Sequence, residues 1–194
     1  MKHIDVLFDK DCLWDFPMQR RIFLTLTGLA VSFPLLSAQR SPVQPEEIPA
    51  NPFTLGVASG DPGGASISLW TRMAPRPLND GGMPMRPAQV IWQCSDSENF
   101  SRIVQYGTEI AWPEYGHVIK PRVSGLRPGT QYFYRFRFGR FESRVGRFRT
   151  APANSDNRPI RIGVVSCNRY EDGWFHAFRH LIQDDVDFIL HVGD

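Results

Sequence analysis

One eight-residue stretch near the middle of the chain restricts the fold more than any other. Residues 131–138 read Gln-Tyr-Phe-Tyr-Arg-Phe-Arg-Phe, with aromatic side chains at positions 132, 134, 136 and 138. Successive side chains of a β-strand point to opposite faces, so these four rings share one face, and Arg135 and Arg137 lie on the other. The pattern predicts a strand with one buried face and one mostly solvated face, as in an antiparallel sheet.

The segment just before this strand has the sequence of a structured turn. Leu126, Pro128, Thr130 and Tyr132 form a Leu-x-Pro-x-Thr-x-Tyr pattern. This pattern resembles the tyrosine corner of fibronectin type III and immunoglobulin-like domains, in which the tyrosine hydroxyl is hydrogen-bonded to backbone a few residues upstream. The turn and the strand after it therefore predict an antiparallel β-sandwich.

Other stretches within residues 53–150 favour the same fold. Alternation predicts that the side chains at 67, 69 and 71 share a buried face, and that Val90, Trp92 and Cys94 share another. Cys94 is expected to pack in the core as a small apolar residue. The 16 glycines, 16 prolines and 14 phenylalanines favour short strands joined by turns. We therefore predict a fibronectin III/immunoglobulin-like sandwich of about seven strands in a mainly β chain.

The first 38 residues have the layout of an export signal. A pair of arginines at positions 20 and 21 precedes the apolar residues 22–36, and small residues follow. The apolar stretch is shorter than the roughly 20 residues that cross a bilayer, so we expect no permanent membrane anchor. The arginine pair resembles a twin-arginine signal, which predicts a periplasmic or secreted bacterial protein. Residues 1–17 contain several acidic side chains, which the start of an export signal does not normally carry. Met18 is therefore the expected initiator.

The charge of the chain limits the classes of partner that it can bind, and its composition indicates the connecting segments. The 22 basic and 20 acidic residues give a formal net charge of +2, which is too balanced to indicate nucleic-acid-specific binding. Six arginines between positions 135 and 149 could attract phosphate, but arginines that alternate along a strand usually form its solvated face. Residues 39–52 predict a proline-rich spacer, and residues 151–159 predict a polar linker.

Residues 160–194 predict a strand, a helix and a second strand. The first strand is apolar and ends before Cys167, and the second runs from position 187 to a final Gly-Asp. Between them the apolar side chains at 174, 178 and 181 follow helical spacing, and Asp172 is the expected N-cap. A βαβ unit of this length has parallel strands and a right-handed crossover.

Parallel strands would bring Cys167 and Asp194 to the same edge of the sheet, where open α/β folds place their ligands. A thiolate and a carboxylate together can hold a metal ion, and Gly193 lets the backbone approach closely. Sulfur favours iron or zinc, whereas the carboxylate can be shared with a harder ion such as calcium. The alternative is that Cys167 is a buried thiol at a strand end and Asp194 a turn residue.

Three histidines in this region are weaker candidates. His176 and His180 are four residues apart, as zinc-binding pairs can be, but they lack the Glu of an H-E-x-x-H motif. They lie opposite the predicted apolar stripe of the helix, so we expect them to face solvent. His191 is interpreted as an ordinary strand residue.

The order of these features resembles the alkaline phosphatase D family of metallophosphatases. The residues that carry the resemblance are 51–62, 67–75, 125–134, Ser166-Cys167 and His191-Val-Gly-Asp194. The resemblance implies an exported β-sandwich followed by a two-sheet metallophosphatase domain that hydrolyses phosphomonoesters and phosphodiesters. It further implies that Cys167 ligates Fe³⁺ and that Asp194 bridges this ion to Ca²⁺. Purple acid phosphatases also place a sandwich before such a domain, but they have an Asp where this chain has Cys167.

By the same resemblance, the chain is an N-terminal fragment that ends in the first βαβ unit of a truncated α/β metallophosphatase domain. The family's site is completed by a tyrosine and by Asn, Asp and His residues that would follow Asp194. We therefore expect no catalytic residue in these 194 residues, no stable retention of the metals and no hydrolysis. The alternative function is that of an exported immunoglobulin-like module with a structural or binding role and no catalysis.

Overall fold

The computed structural model describes residues 41–169, 171 and 173–193. The predicted export signal, Asp172 and Asp194 therefore lie outside the described residues. The strands are β1 (Val57–Gly60), β2 (Ser66–Arg72), β3 (Ala88–Ser95), β4 (Ile103–Ala111), β5 (Val118–Ile119), β6 (Arg122–Ser124), β7 (Gln131–Phe138), β8 (Phe141–Glu142), β9 (Gly146–Arg149), β10 (Ile162–Val165) and β11 (Phe188–His191). An α-helix, α1, spans His176–Gln183, and short 3₁₀ helices span Pro45–Glu47 and Pro113–Tyr115.

The first nine strands form two antiparallel sheets. In one sheet β2 lies next to β1 and pairs with both β5 and β6. The other has the order β4-β3-β7-β8, and β9 also pairs with β7. Both sheets contribute to a single cluster of buried apolar side chains, among them Leu69 from the first sheet and Phe136 from the second. The predicted β-sandwich is therefore confirmed.

The alternation of β7 matches the prediction from its sequence. All four aromatic residues at positions 132, 134, 136 and 138 are buried. The rings at 132 and 134 pack on Phe148, and the ring at 136 packs edge-on against that at 134. On the opposite face Arg135 and Arg137 form ion pairs with Glu142 of β8, and the guanidinium of Arg135 lies 4.2 Å from the ring centroid of Phe100. These two arginines thus belong to a solvated sheet face, as predicted.

The buried faces of β2 and β3 are also as predicted. The side chains at 67, 69 and 71 in β2 are buried, and so are Val90, Trp92 and Cys94 in β3. The tyrosine corner is present as well: the backbone N–H of Arg127 donates a hydrogen bond of 3.0 Å to the hydroxyl oxygen of Tyr132. This bond fixes the turn that leads into β7.

Residues 41–52, which the proline content predicts as a spacer, pack onto the sandwich. The side chains of Val43, Ile48 and Pro52 are buried, and the first two belong to the core cluster. The backbone N–H of Val43 donates to the carbonyl of Pro87 at 2.8 Å, and the amide of Asn51 donates to the carbonyl of Glu142 at 2.8 Å. The segment therefore contributes to the core of the sandwich.

The C-terminal strands form a separate parallel pair. Ile162 of β10 lies opposite Phe188 of β11, and the register continues to Val165 and His191. Helix α1 packs on one face of this pair, because a Cβ built on Gly163 would lie 2.6 Å from Leu181. The parallel pairing of the two strands is confirmed, and the right-handed crossover stays a prediction.

The predicted start of the helix is wrong. Helix α1 begins at His176, and Phe175 occupies the N-cap position with a left-handed backbone (φ 53°) and no side-chain cap. Because Phe175 interrupts the helical backbone, Trp174 precedes the helix and is 86% exposed, so it is not part of the apolar stripe. Phe178 and Leu181 are half-buried, in agreement with their predicted face.

Candidate metal centre

The carboxyl ends of β10 and β11 stay side by side after the strands end. The N–H of Val192 donates to the carbonyl of Val165 at 3.0 Å, and the N–H of Cys167 donates to the carbonyl of Gly193 at 3.0 Å. The parallel ladder therefore continues to the residue that precedes Asp194. Asp194 directly follows Gly193 in the sequence, but its position lies outside the described residues.

The backbone bends sharply where each strand ends. Cys167 has a φ of 55°, in the left-handed region that non-glycine residues rarely occupy, and Gly193 has a φ of 90°. For Cys167 this conformation costs free energy, and strained non-glycine residues are concentrated at functional sites, whereas glycine adopts a positive φ readily. Beside Cys167 lies a small hollow of about 250 Å³, lined also by Asn168, Trp174 and His176. The bend places the Cys167 side chain at this hollow.

The two described cysteines have opposite environments. Cys94 is fully buried in the sandwich, and burial raises the pKa of its thiol to about 12. Cys167 is exposed at the strand edge. Because a metal is bound by the thiolate, an accessible sulfur suits a ligand and a desolvated one does not. Of these two sulfurs, only that of Cys167 fits a metal site, and the alternative prediction of a buried Cys167 thiol is wrong.

His191 and Asn168 lie directly beside the ends of the two strands, and sequence reasoning did not select them as functional residues. The Nε2 atom of His191 is 3.0 Å from Nδ2 of Asn168, and its Nδ1 accepts a 3.0 Å hydrogen bond from the N–H of Gly193. The ring also stacks on Phe178 of α1, with 6.3 Å between the ring centroids. The available signal was a polar side chain between the apolar residues at 190 and 192.

The other two histidines of this region are not part of a cluster. His176 and His180 are both exposed on α1, as predicted. Among residues 41–169, 171 and 173–193, no three His, Cys, Asp or Glu side chains are grouped closely enough to hold a metal ion. Because Asp194 is outside these ranges, the predicted pair of Cys167 and Asp194 stays a prediction.

A cleft of about 1040 Å³ separates the sandwich from β11 and contains several arginines. Three of these are paired with acidic side chains: Arg149 with Asp187 at 3.5 Å, Arg158 with Asp156 at 3.3 Å, and Arg161 with Asp185 at 3.0 Å. Much of the positive charge of the cleft is therefore compensated. The cleft therefore gives little support for an anion-binding site.

The described residues thus form a β-sandwich followed by a parallel strand–helix–strand unit, which defines a protein with an N-terminal sandwich and an α/β part. Residues 37–152 match the family described as PhoD-like phosphatase, N-terminal domain, and residues 162–194 match the family described as PhoD-like phosphatase. The chain belongs to the PhoD-like phosphatase family.

Individual relatives agree with this assignment. The chain is 44% identical to alkaline phosphatase D of Bacillus subtilis (strain 168) over 144 residues, which are 74% of this chain and 25% of that protein. It is also 37% identical to purple acid phosphatase 15 of Arabidopsis thaliana over 76 residues, covering 38% of this chain and 14% of that protein. The solved structure of PhoD matches with a TM-score of 0.73 at 43% identity, covering 76% of this chain and 28% of that one.

The chain spans about a quarter of the length of alkaline phosphatase D. In the part of the chain that the structure describes, no helix is long and apolar enough to cross a membrane.

Proposed function

We propose that this chain supplies the N-terminal sandwich and the first metal ligands of an exported, metal-dependent phosphatase or phosphodiesterase. The observation that supports this most is the 3.0 Å hydrogen bond from Cys167 to Gly193, because it brings the backbones that carry the thiol and Asp194 together. The likeness to alkaline phosphatase D over 74% of the chain supports the same class of reaction.

In this proposal Cys167 would supply a sulfur ligand to Fe³⁺ at the strand edge, and Asp194 would supply carboxylate oxygen to Fe³⁺ and Ca²⁺. The donor set fits, since an exposed sulfur suits iron and a carboxylate oxygen suits calcium. Such a pair of ions lowers the pKa of a bound water and neutralises the charge of a phosphoester. The protein's own part is to fix the thiolate and the carboxylate side by side on two hydrogen-bonded strands.

The substrate in this proposal is a small phosphomonoester or phosphodiester, hydrolysed by the complete catalytic domain. In the family that the chain resembles, a tyrosine and further Asn, Asp and His residues complete the site, so Cys167 and Asp194 would supply only part of it. We expect the 194-residue chain to retain neither metal stably and to show no turnover of a chromogenic monoester or diester when Fe³⁺ and Ca²⁺ are supplied.

The proposed activity is tested in a polypeptide that continues the reading frame to the length of alkaline phosphatase D. It should hydrolyse the chromogenic esters, and Cys167→Ala should abolish turnover. Cys94→Ala is the matched control and should retain it, since Cys94 lies in the sandwich core. Equal activity of the Cys167→Ala and Cys94→Ala proteins would contradict the proposed role of Cys167.

Export is a separate element of the proposal. Residues 1–38 would act as a twin-arginine signal that begins at Met18 and is removed during export. Replacing both Arg20 and Arg21 by Lys should retain the protein in the cytoplasm. Replacing Arg40, which lies just after the proposed signal, by Lys is the control and should leave export unchanged. N-terminal sequencing of the exported protein should find none of residues 1–38, and a mature form that keeps Asp5 would contradict the proposed signal.

A further inference from the structure

We propose that His191, together with Asn168, is a positioning residue that clamps the two strand ends carrying Cys167 and Asp194. This inference rests on the proposed function, because it explains how the two metal ligands Cys167 and Asp194 would be kept in a fixed geometry. His191 and Asn168 are not themselves among those ligands.

The clamp follows from the partners of the two ring nitrogens. Nδ1 of His191 accepts a hydrogen bond from the N–H of Gly193, and Nε2 lies 3.0 Å from the carboxamide of Asn168. Gly193 immediately precedes Asp194, and Asn168 immediately follows Cys167. One imidazole therefore connects the segment after β10 to the segment after β11.

The hydrogen-bond roles select one tautomer. Because Nδ1 accepts a hydrogen bond from Gly193, the proton of the neutral ring is on Nε2, which then donates. The partner of Nε2 must accept, so this tautomer requires the Asn168 carboxamide to be turned over, with its oxygen in the place of the Nδ2 atom that lies 3.0 Å from the ring. The amide oxygen and nitrogen are interchangeable by a half-turn of the side chain. In that orientation Asn168 accepts the Nε2–H hydrogen bond and stabilises the tautomer in which Nδ1 can accept from the N–H of Gly193.

The ring is also fixed from a third side. It stacks on Phe178 with an angle of 19° between the planes. His191 lies on the same face of the parallel pair as Gly163, against which Leu181 of α1 packs. The helix thus orients the imidazole, and the imidazole orients the Gly193 peptide at its φ of 90°.

This arrangement predicts the effect of removing each partner. His191→Ala removes the acceptor for the Gly193 N–H, so exchange of that amide with solvent should accelerate about fivefold or more. His191→Asn keeps an acceptor oxygen close to the position of Nδ1 and should restore most of the protection. Asn168→Ala should give an intermediate rate, and Asn168→Asp, which keeps an acceptor for Nε2–H, should resemble the parent chain.

The test is NMR solvent exchange on the 194-residue chain, with the amides of Gly193 and of the sandwich residue Phe136 followed together. His180→Ala is the matched control, because His180 is an exposed histidine on α1. The Phe136 amide should be unaffected in every variant, which excludes general unfolding. Unchanged exchange at Gly193 in His191→Ala, or equal effects of His191→Ala and His191→Asn, would overturn the clamp.

A second measurement separates this inference from the proposed function. Titration with Co²⁺ of the polypeptide extended to the length of alkaline phosphatase D, followed by sulfur-to-cobalt absorption, reports on the metal pair, and His191→Ala should weaken binding more than His191→Asn does. No cobalt binding by the extended parent polypeptide, with the expected exchange results in the 194-residue chain, would count against the metal pair and leave the clamp intact. Normal cobalt binding by every variant would show that the clamp does not position the ligands.

Discussion

The indole ring of Trp92 lies against the backbone of Gly107, its cross-strand partner on β4. A Cβ built on Gly107 would lie 2.6 Å from Cζ2 of the indole, closer than real Cβ atoms approach other atoms. Trp92 is buried in the core, so its ring cannot move aside without disturbing its neighbours. The absence of a side chain at position 107 is therefore required by the packing of the sandwich.

Gly107→Ala should lower the free energy of unfolding by about 1–3 kcal/mol, the usual cost of overpacking a core. The measurement is urea denaturation followed by tryptophan fluorescence. Gly60→Ala is the matched control, because Gly60 also lies in a strand and nothing lies within 4 Å of the Cβ it would gain. Equal stabilities of the two variants would contradict the close packing of Trp92 on β4.

The tyrosine corner supplies a second prediction. Tyr132→Phe keeps the buried ring but removes the acceptor of the Arg127 N–H, and it should lower the free energy of unfolding by about 1 kcal/mol. Tyr106→Phe is the control, since Tyr106 is largely exposed and its hydroxyl is accessible to water. A Tyr132→Phe protein as stable as Tyr106→Phe in urea would show that the corner does not stabilise the fold.

Two buried side chains that lose a proton at high pH, Cys94 and Tyr134, should make the stability of the fold depend on pH. Burial raises the pKa of Cys94 from 9.0 to about 12 and that of Tyr134 from 10.0 to about 12, although a hydrogen bond with Ser59 opposes the second shift. Between the ordinary and the raised pKa values, the unfolded chain has lost protons that the folded chain still holds. Stability is therefore fully present below about pH 9 and should fall as the pH rises towards 12.

Cys94→Ala tests this pH dependence directly. Urea unfolding at a series of pH values should give a smaller loss of stability between about pH 9 and pH 12 in Cys94→Ala than in the parent chain. Below about pH 8 the difference between the two proteins should be constant, because it then reflects only the packing of the sulfur. Parallel curves over the whole range would contradict the raised pKa of Cys94.

The sequence predicted the sandwich because its signals are local. Alternation along β7 identifies the buried face of one strand without reference to any other strand, and the tyrosine corner lies within a few residues of it. The pairing of β10 with β11 could also be predicted, since two apolar strands separated by a helix are constrained to be parallel. These features depend on short-range pattern and on chain length.

Other features depend on contacts between distant residues, and the sequence could not predict them. Val43 and Ile48 are isolated apolar residues among prolines, and only the fold brings them into the core. Helix α1 begins late because Phe175 has a left-handed backbone that helical spacing does not reveal. Likewise, His191 contacts Asn168, which is 23 positions away in the chain, so its role emerges only when the strand ends meet.

Cys167 and Asp194 are proposed to bind metal together at the edge of the parallel strands. The most direct test is the absorption of the Fe³⁺-loaded polypeptide extended to the length of alkaline phosphatase D, together with its iron and calcium content. We predict a sulfur-to-iron band that is lost in Cys167→Ser, lower content of both metals in Asp194→Asn, and an unchanged spectrum in Cys94→Ala. A sulfur-to-iron band that persists in Cys167→Ser, or unchanged metal content in Asp194→Asn, would contradict joint metal binding by the two residues.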